Sequence, residues 1–168
     1  MKLPQVIFVD AGLMFATDSH DVVEPCFLAL IDMCVKAAIP LYLTGTGLEC
    51  MRIPADIAER VCDVHRVKHA TSALWYHLQK KHDAIARYML YVSPHKLYRI
   101  AALNYGMTPV AVADDAVNRL GHSFETHLHT KQGCVYEDLP AFVQTLDVTL
   151  KAVADRATQK ETLQYATH

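Results

Sequence analysis

An apolar run that ends in a carboxylate, Val6-Ile7-Phe8-Val9-Asp10, followed by Ala11-Gly12, is the first place where this chain can do chemistry. A second run ends the same way: Val110-Ala111-Val112-Ala113-Asp114-Asp115. Carboxylates brought from two strand ends to one rim supply the hard oxygen donors that a divalent cation takes, with waters filling the rest of its shell. One such strand end alone would mean little, since an aspartate there also caps turns, and Asp114-Asp115 also suits the N-cap of a following helix. A third run, Ile39 to Leu43, closes on Thr44-Gly45-Thr46-Gly47 and places a hydroxyl beside a glycine. That segment serves equally as a tight turn. It lacks the third glycine and the distal acid of a dinucleotide fingerprint.

These residues need strands to carry them. Short apolar runs closed by glycine or an acid read as buried strands of a parallel sheet, whose working groups lie beyond the strand C-termini. Strands are expected at Gln5–Val9, Ile39–Leu43, Asp63–Val67, Val110–Ala113 and Phe124–Leu128. Helical periodicity runs from Val22 to Ala37, after Pro54 to about Val61, from Ser72 to Tyr91, and from Ser93-Pro94 to Gly106, a glycine placed as a C-cap. A short helix is expected over Ala116–Leu120, and one or two helices over Leu139–Tyr165. Strands alternating with helices imply right-handed crossovers. The expected fold is an α/β, three-layer, Rossmann-like domain with a mainly parallel five-stranded sheet and helices on both faces. It would occupy residues 1–148, with a helical tail over 149–168.

The chain has 168 residues, 52% hydrophobic and 20% charged, which suits one domain with a sizeable core. Its formal net charge of −2 and scattered basic residues argue against a nucleic-acid surface. Five cysteines without a C-x-x-C pair fit reduced thiols, and Cys26 and Cys34 sit on an apolar helix face. No apolar stretch is long enough for a membrane span, and no signal peptide is evident, so the expectation is cytoplasmic, with specialised secretion as the exception. His127 and His129 share a strand face, but no set with zinc spacing accompanies them. Trp75 and Tyr88 read as core or interface.

Four pieces in this order resemble the haloacid dehalogenase-like (HAD) hydrolase superfamily: the strand ending in Asp10, the strand ending in Leu43-Thr44-Gly45, a lysine opening a later helix (Lys96 in Ser93-Pro94-His95-Lys96), and Ala113-Asp114-Asp115-Ala116-Val117-Asn118. The resemblance spans Val6 to about Tyr136. It implies Asp10 as the nucleophile toward phosphorus. It also implies Mg²⁺ held by Asp10, the Gly12 carbonyl and Asp114 or Asp115. Thr44, Gly45 and Asn118 would contact substrate, and Lys96 would neutralise charge, with Lys80 or Lys81 as alternatives. A carboxylate attacks a dianion poorly unless cations offset the repulsion.

The departure from that pattern is at Gly12. HAD phosphatases carry a second aspartate there, which protonates the leaving oxygen and then activates water; glycine does neither, and Leu13-Met14 replaces the usual glycine-threonine. Losing a general acid or base typically costs roughly 10²- to 10⁴-fold in rate. The resemblance therefore implies a phosphohydrolase of weak or atypical activity; the rival is a catalytically inactive binding or regulatory protein on the same fold. A receiver-like or flavodoxin-like domain ranks third, because receivers place their acidic pair after the first strand. Ala11–Ala38 and Gly45–His95 are too short to hold a large cap domain. The expected partner is thus a phosphorylated small molecule or macromolecule reaching an open site, with a homodimer as the candidate assembly.

Overall fold

The computed structural model describes residues 3–15, 22–45, 52–64, 71–112 and 134–165. Its strands are β1 (Val6–Asp10), β2 (Leu41–Thr44), β3 (Asp63–Val64), β4 (Met89–Ser93), β5 (Thr108–Val112) and β6 (Cys134–Tyr136). They form one sheet in the order β3-β2-β1-β4-β5-β6, and every neighbouring pair is parallel. Five strands of three residues or more thus make the body, and the two-residue β3 lies at one edge. The helices are α1 (Pro25–Lys36), α2 (Ala55–Arg60), α3 (Ser72–Lys81), α4 (Lys96–Tyr105) and α5 (Leu139–Tyr165). None is long and apolar enough to cross a membrane.

Side chains alternate across the strands, so each face of the sheet needs its own cover. Ile7, Val9, Leu41, Leu43, Val92 and Val110 pack with Phe27, Leu30 and Ile31 of α1, Ile57 of α2, and Phe142 and Leu146 of α5. Val6, Phe8, Tyr42, Met89 and Tyr91 pack on the other face with Trp75 and Leu78 of α3 and Ala102 of α4. The three-layer Rossmann-like class is therefore as the strand–helix alternation implies. The chain winds outward from β1 to β3, then returns to β4 on the far side of β1. The switch in direction between β1 and β4 opens the crevice in which such sheets bind ligands.

One element differs sharply from the sequence reading. The helix expected over Ser72–Tyr91 ends at Lys81, and Met89–Ser93 is a central strand. Asp83 sits at φ 47°, a left-handed conformation that aspartate tolerates and that stops α3. Leu74, Trp75, Leu78, Ile85, Tyr88 and Met89 keep helical spacing across that break by coincidence. A strand buried on both faces is uniformly apolar, so periodicity alone does not separate it from a helix. The edge strand β6 was not expected either. The expected strand Phe124–Leu128 and helix Ala116–Leu120 lie outside the described residues. So do His127 and His129, and residues 65–67 of the third expected strand. Helix α5 continues unbroken across residue 149.

Phe142 is fully buried and meets the Tyr136 ring edge-on at 5.4 Å, fastening α5 to the sheet. Phe142→Ala should cost about 3–5 kcal/mol in denaturant unfolding. A loss below about 1 kcal/mol, the scale of an ordinary surface change, would show that α5 does not cover this face.

Candidate functional site

Three aromatic residues lie side by side on the α3/α4 face of the central strands. Phe8 of β1 stacks with Tyr42 of β2 at 5.5 Å and with Tyr91 of β4 at 6.3 Å. Two residues further along each strand, on the same face, come Asp10, Thr44 and Ser93. Parallel register keeps this polar layer level, with Asp10 opposite Thr44 and Val9 opposite Val92. The aromatic layer forms the floor beneath it, and Trp75 meets Tyr91 edge-on from α3. Asp10, Thr44 and Ser93 are all buried, Asp10 being only 2% exposed.

The two oxygens of Asp10 have different surroundings. Oδ1 accepts a hydrogen bond from the Gly12 backbone N–H at 2.9 Å. The 3₁₀ turn Ala11–Met14 supplies that N–H. Oδ2 accepts from the Ser93 hydroxyl at 2.9 Å and lies 3.8 Å from Nε2 of His95. Burial raises the Asp10 pKa above the ordinary carboxylate value of 3.8, while Gly12 N–H, His95 and Ser93 oppose the rise. Thr44 Oγ1 sits in looser contact with the Val9 carbonyl, at 3.5 Å, and the Tyr91 hydroxyl, at 3.4 Å.

Two glycines press against this carboxylate. Gly45 has φ +139°, and a Cβ there would stand 2.8 Å from Asp10 Oδ1. A Cβ on Gly12 would stand 3.1 Å from the same oxygen. Their missing side chains leave a cradle around Oδ1. Beyond β4, the His95 N–H donates to Ser93 Oγ at 3.0 Å, and buried Arg99 donates from Nη1 to the Ser93 carbonyl at 2.7 Å. Burial lowers the Arg99 pKa to about 10, so the guanidinium remains charged at neutral pH while fixing the β4–α4 junction.

The sequence-derived residues Asp10, Gly12, Thr44 and Gly45 therefore converge on one point. Lys96 is half-buried and opens α4, immediately after His95 at its N-cap. Asp114, Asp115 and Asn118 lie outside the described residues. Among the described residues, no group of three or more His, Cys, Asp or Glu side chains is placed to hold a metal. Sequence reasoning missed Ser93 and His95. The signal was present: Met89-Leu90-Tyr91-Val92 ending in Ser93-Pro94 follows the same strand-end rule that located Asp10.

Asp10→Asn keeps an acceptor for Gly12 N–H and removes the cost of burying a charge. A raised folded-state pKa favours folding below about 3.8, and that contribution is lost as pH rises through the folded value. The variant should therefore be more stable than the parent at pH 7, by on the order of 1 kcal/mol. Thermal melts should show the gap closing as pH falls through the raised folded-state value toward 3.8; a constant gap, or a less stable variant at pH 7, would contradict this. Gly45→Ala should cost about 1–3 kcal/mol, because its φ and the crowding of Oδ1 both oppose a methyl group. An unchanged unfolding midpoint would mean that this backbone relaxes.

No protein-family model matches the chain, and no curated protein matches it. Solved structures do match. The D,D-heptose 1,7-bisphosphate phosphatase of B. bronchiseptica, complexed with magnesium and phosphate, aligns over 84% of this chain and 97% of its own at 17% identity, with a TM-score of 0.59. The cobalt-bound deoxy-D-mannose-octulosonate 8-phosphate phosphatase of Haemophilus influenzae aligns over 89% of this chain and 88% of its own at 17% identity, with a TM-score of 0.58. A haloacid dehalogenase-like family hydrolase from Xanthomonas campestris aligns over 78% of this chain and 53% of its own at 13% identity, with a TM-score of 0.50. By its strand order and these alignments, the chain has the fold of the haloacid dehalogenase-like phosphatases.

Proposed function

We propose that the chain is a Mg²⁺-dependent phosphohydrolase of weak or atypical activity, with Asp10 as the nucleophile. The carrying observation is the buried Asp10 carboxylate at the β1/β4 switch point, with one oxygen held by Gly12 N–H and the other by Ser93. A dry, pre-positioned carboxylate has little water to shed before attack. Supporting the divalent ion are hard oxygen donors and the cradle beside Oδ1, together with neighbours that carry magnesium or cobalt. Asp10 and the Gly12 carbonyl would hold the ion together with Asp114 or Asp115. It would offset the charge of the incoming phosphoryl group.

An Asp10 oxygen attacks phosphorus in line, the bond from phosphorus to the leaving oxygen breaks, and an aspartyl-phosphate forms. Water then attacks that phosphorus, releasing phosphate and restoring the carboxylate. Thr44 and the backbone at Gly45 would flank the phosphoryl oxygens, and Lys96 and Asn118 would bind from the rim. Gly12 brings no side chain for proton transfer, so solvent must serve the leaving oxygen, and turnover is slow. The described segments between β1 and β2, and between β2 and β4, hold helices α1 to α3 and the edge strand, which supports an open, capless site. That suits a phosphorylated small molecule or a phosphorylated macromolecule. Gly12 equally supports the second reading, a regulatory protein that binds phosphoryl groups without turning them over.

Single-turnover assay of a phosphate-ester panel with Mg²⁺ tests the first reading. Asp10→Asn should lower the rate by at least roughly 10³-fold, the scale of losing one catalytic group. Equal rates in variant and parent would remove Asp10 as nucleophile. Absence of turnover with retained Mg²⁺ and vanadate binding would select the regulatory reading.

A further inference from the structure

We infer that His95 is a phosphoryl-contacting residue of this site, donating a hydrogen bond to an equatorial oxygen of a phosphomonoester. The inference rests on the reading of Asp10 as the group that meets phosphorus. The sequence pattern points to Lys96 for the cationic role; the residue before it, His95, brings its imidazole beside Asp10 as well. Its Nε2 stands 3.8 Å from Oδ2, too far for a direct hydrogen bond and close enough to share a third atom with that oxygen.

The geometry favours an equatorial oxygen. In a near-attack arrangement phosphorus lies about 3–3.5 Å from the attacking oxygen. The equatorial oxygens then fall about as far from Oδ2 as His95 does, and one of them comes within hydrogen-bond length of Nε2 when the two directions from Oδ2 diverge by about 45°. The ring is also held in place. Its own backbone N–H is tied to Ser93 Oγ at 3.0 Å, and Ser93 in turn is tied to Oδ2. Tyr98 meets the imidazole edge-on, with centroids 5.6 Å apart and planes at 88°. The His95 side chain is 51% exposed, whereas the Asp10 side chain is 3% exposed, so the imidazole is open to an arriving ligand where the carboxylate is not. One hydroxyl thus links the nucleophile to the residue that would orient its target.

The test is calorimetric titration of orthovanadate, a phosphoryl mimic, into the 168-residue chain with Mg²⁺. His95→Ala should weaken binding about 10-fold, the effect of losing one hydrogen bond to a charged group. His95→Gln, whose amide nitrogen reaches the place of Nε2, should stay within about 3-fold of the parent. A half-exposed side chain predicts near-parental melting temperatures for both variants, which separates lost contact from lost fold. Parental affinity in His95→Ala overturns this inference and leaves the role of Asp10 standing. Equal weakening in both variants also overturns it, because it shows that the donor atom is immaterial. Failure of the parent to bind vanadate overturns the functional reading and this inference with it.

Discussion

The structure depends on one costly arrangement: a carboxylate held almost dry at the end of a central parallel strand. Asp10 has its two hydrogen bonds from a backbone N–H and a serine hydroxyl, and burial still pushes its pKa up. Such a group persists only because the strands on both sides fix its surroundings. Register places Thr44 opposite it, and the ladder between β1 and β4 brings Ser93 level with it. The stacked rings of Phe8, Tyr42 and Tyr91 beneath stiffen the three strands against one another. Aromatic pairs of this kind contribute about 0.5–1.5 kcal/mol each beyond their buried area.

The same constraint explains the glycines. Gly45 follows β2 with a positive φ and no room for a methyl group beside Oδ1. Gly12 offers its N–H to that oxygen from the first turn after β1. Glycine at position 12 also spares that oxygen a close side-chain contact, since a Cβ there would stand 3.1 Å from Oδ1. Arg99, buried under the β4–α4 junction, fixes the Ser93 carbonyl and so steadies both the hydroxyl on Asp10 and the start of α4.

Much of this was legible in the chain. Apolar runs closing on Asp10 and on Thr44-Gly45 named two of the three strand ends at the switch point, because buried parallel strands leave that compositional mark. The third was hidden. Met89–Val92 is apolar throughout, and its residues continue the period of α3, so nothing local separated strand from helix until Asp83 turned the chain. A helical reading of that strand leaves Ser93 and His95 without a strand end to mark them, although Ser93-Pro94-His95-Lys96 is the segment that offers Lys96. The contact of His95 with Asp10 spans a long stretch of sequence and depends on register, which only the folded sheet defines.

The most direct measurement asks whether residue 10 carries the phosphoryl group. The chain would be mixed with Mg²⁺ and acetyl phosphate, quenched, and reduced with borohydride, which converts an aspartyl-phosphate to homoserine. Peptide mass analysis should then find homoserine at position 10 and at no other aspartate. Unmodified Asp10, with the modification absent or at another acidic residue, would contradict the account.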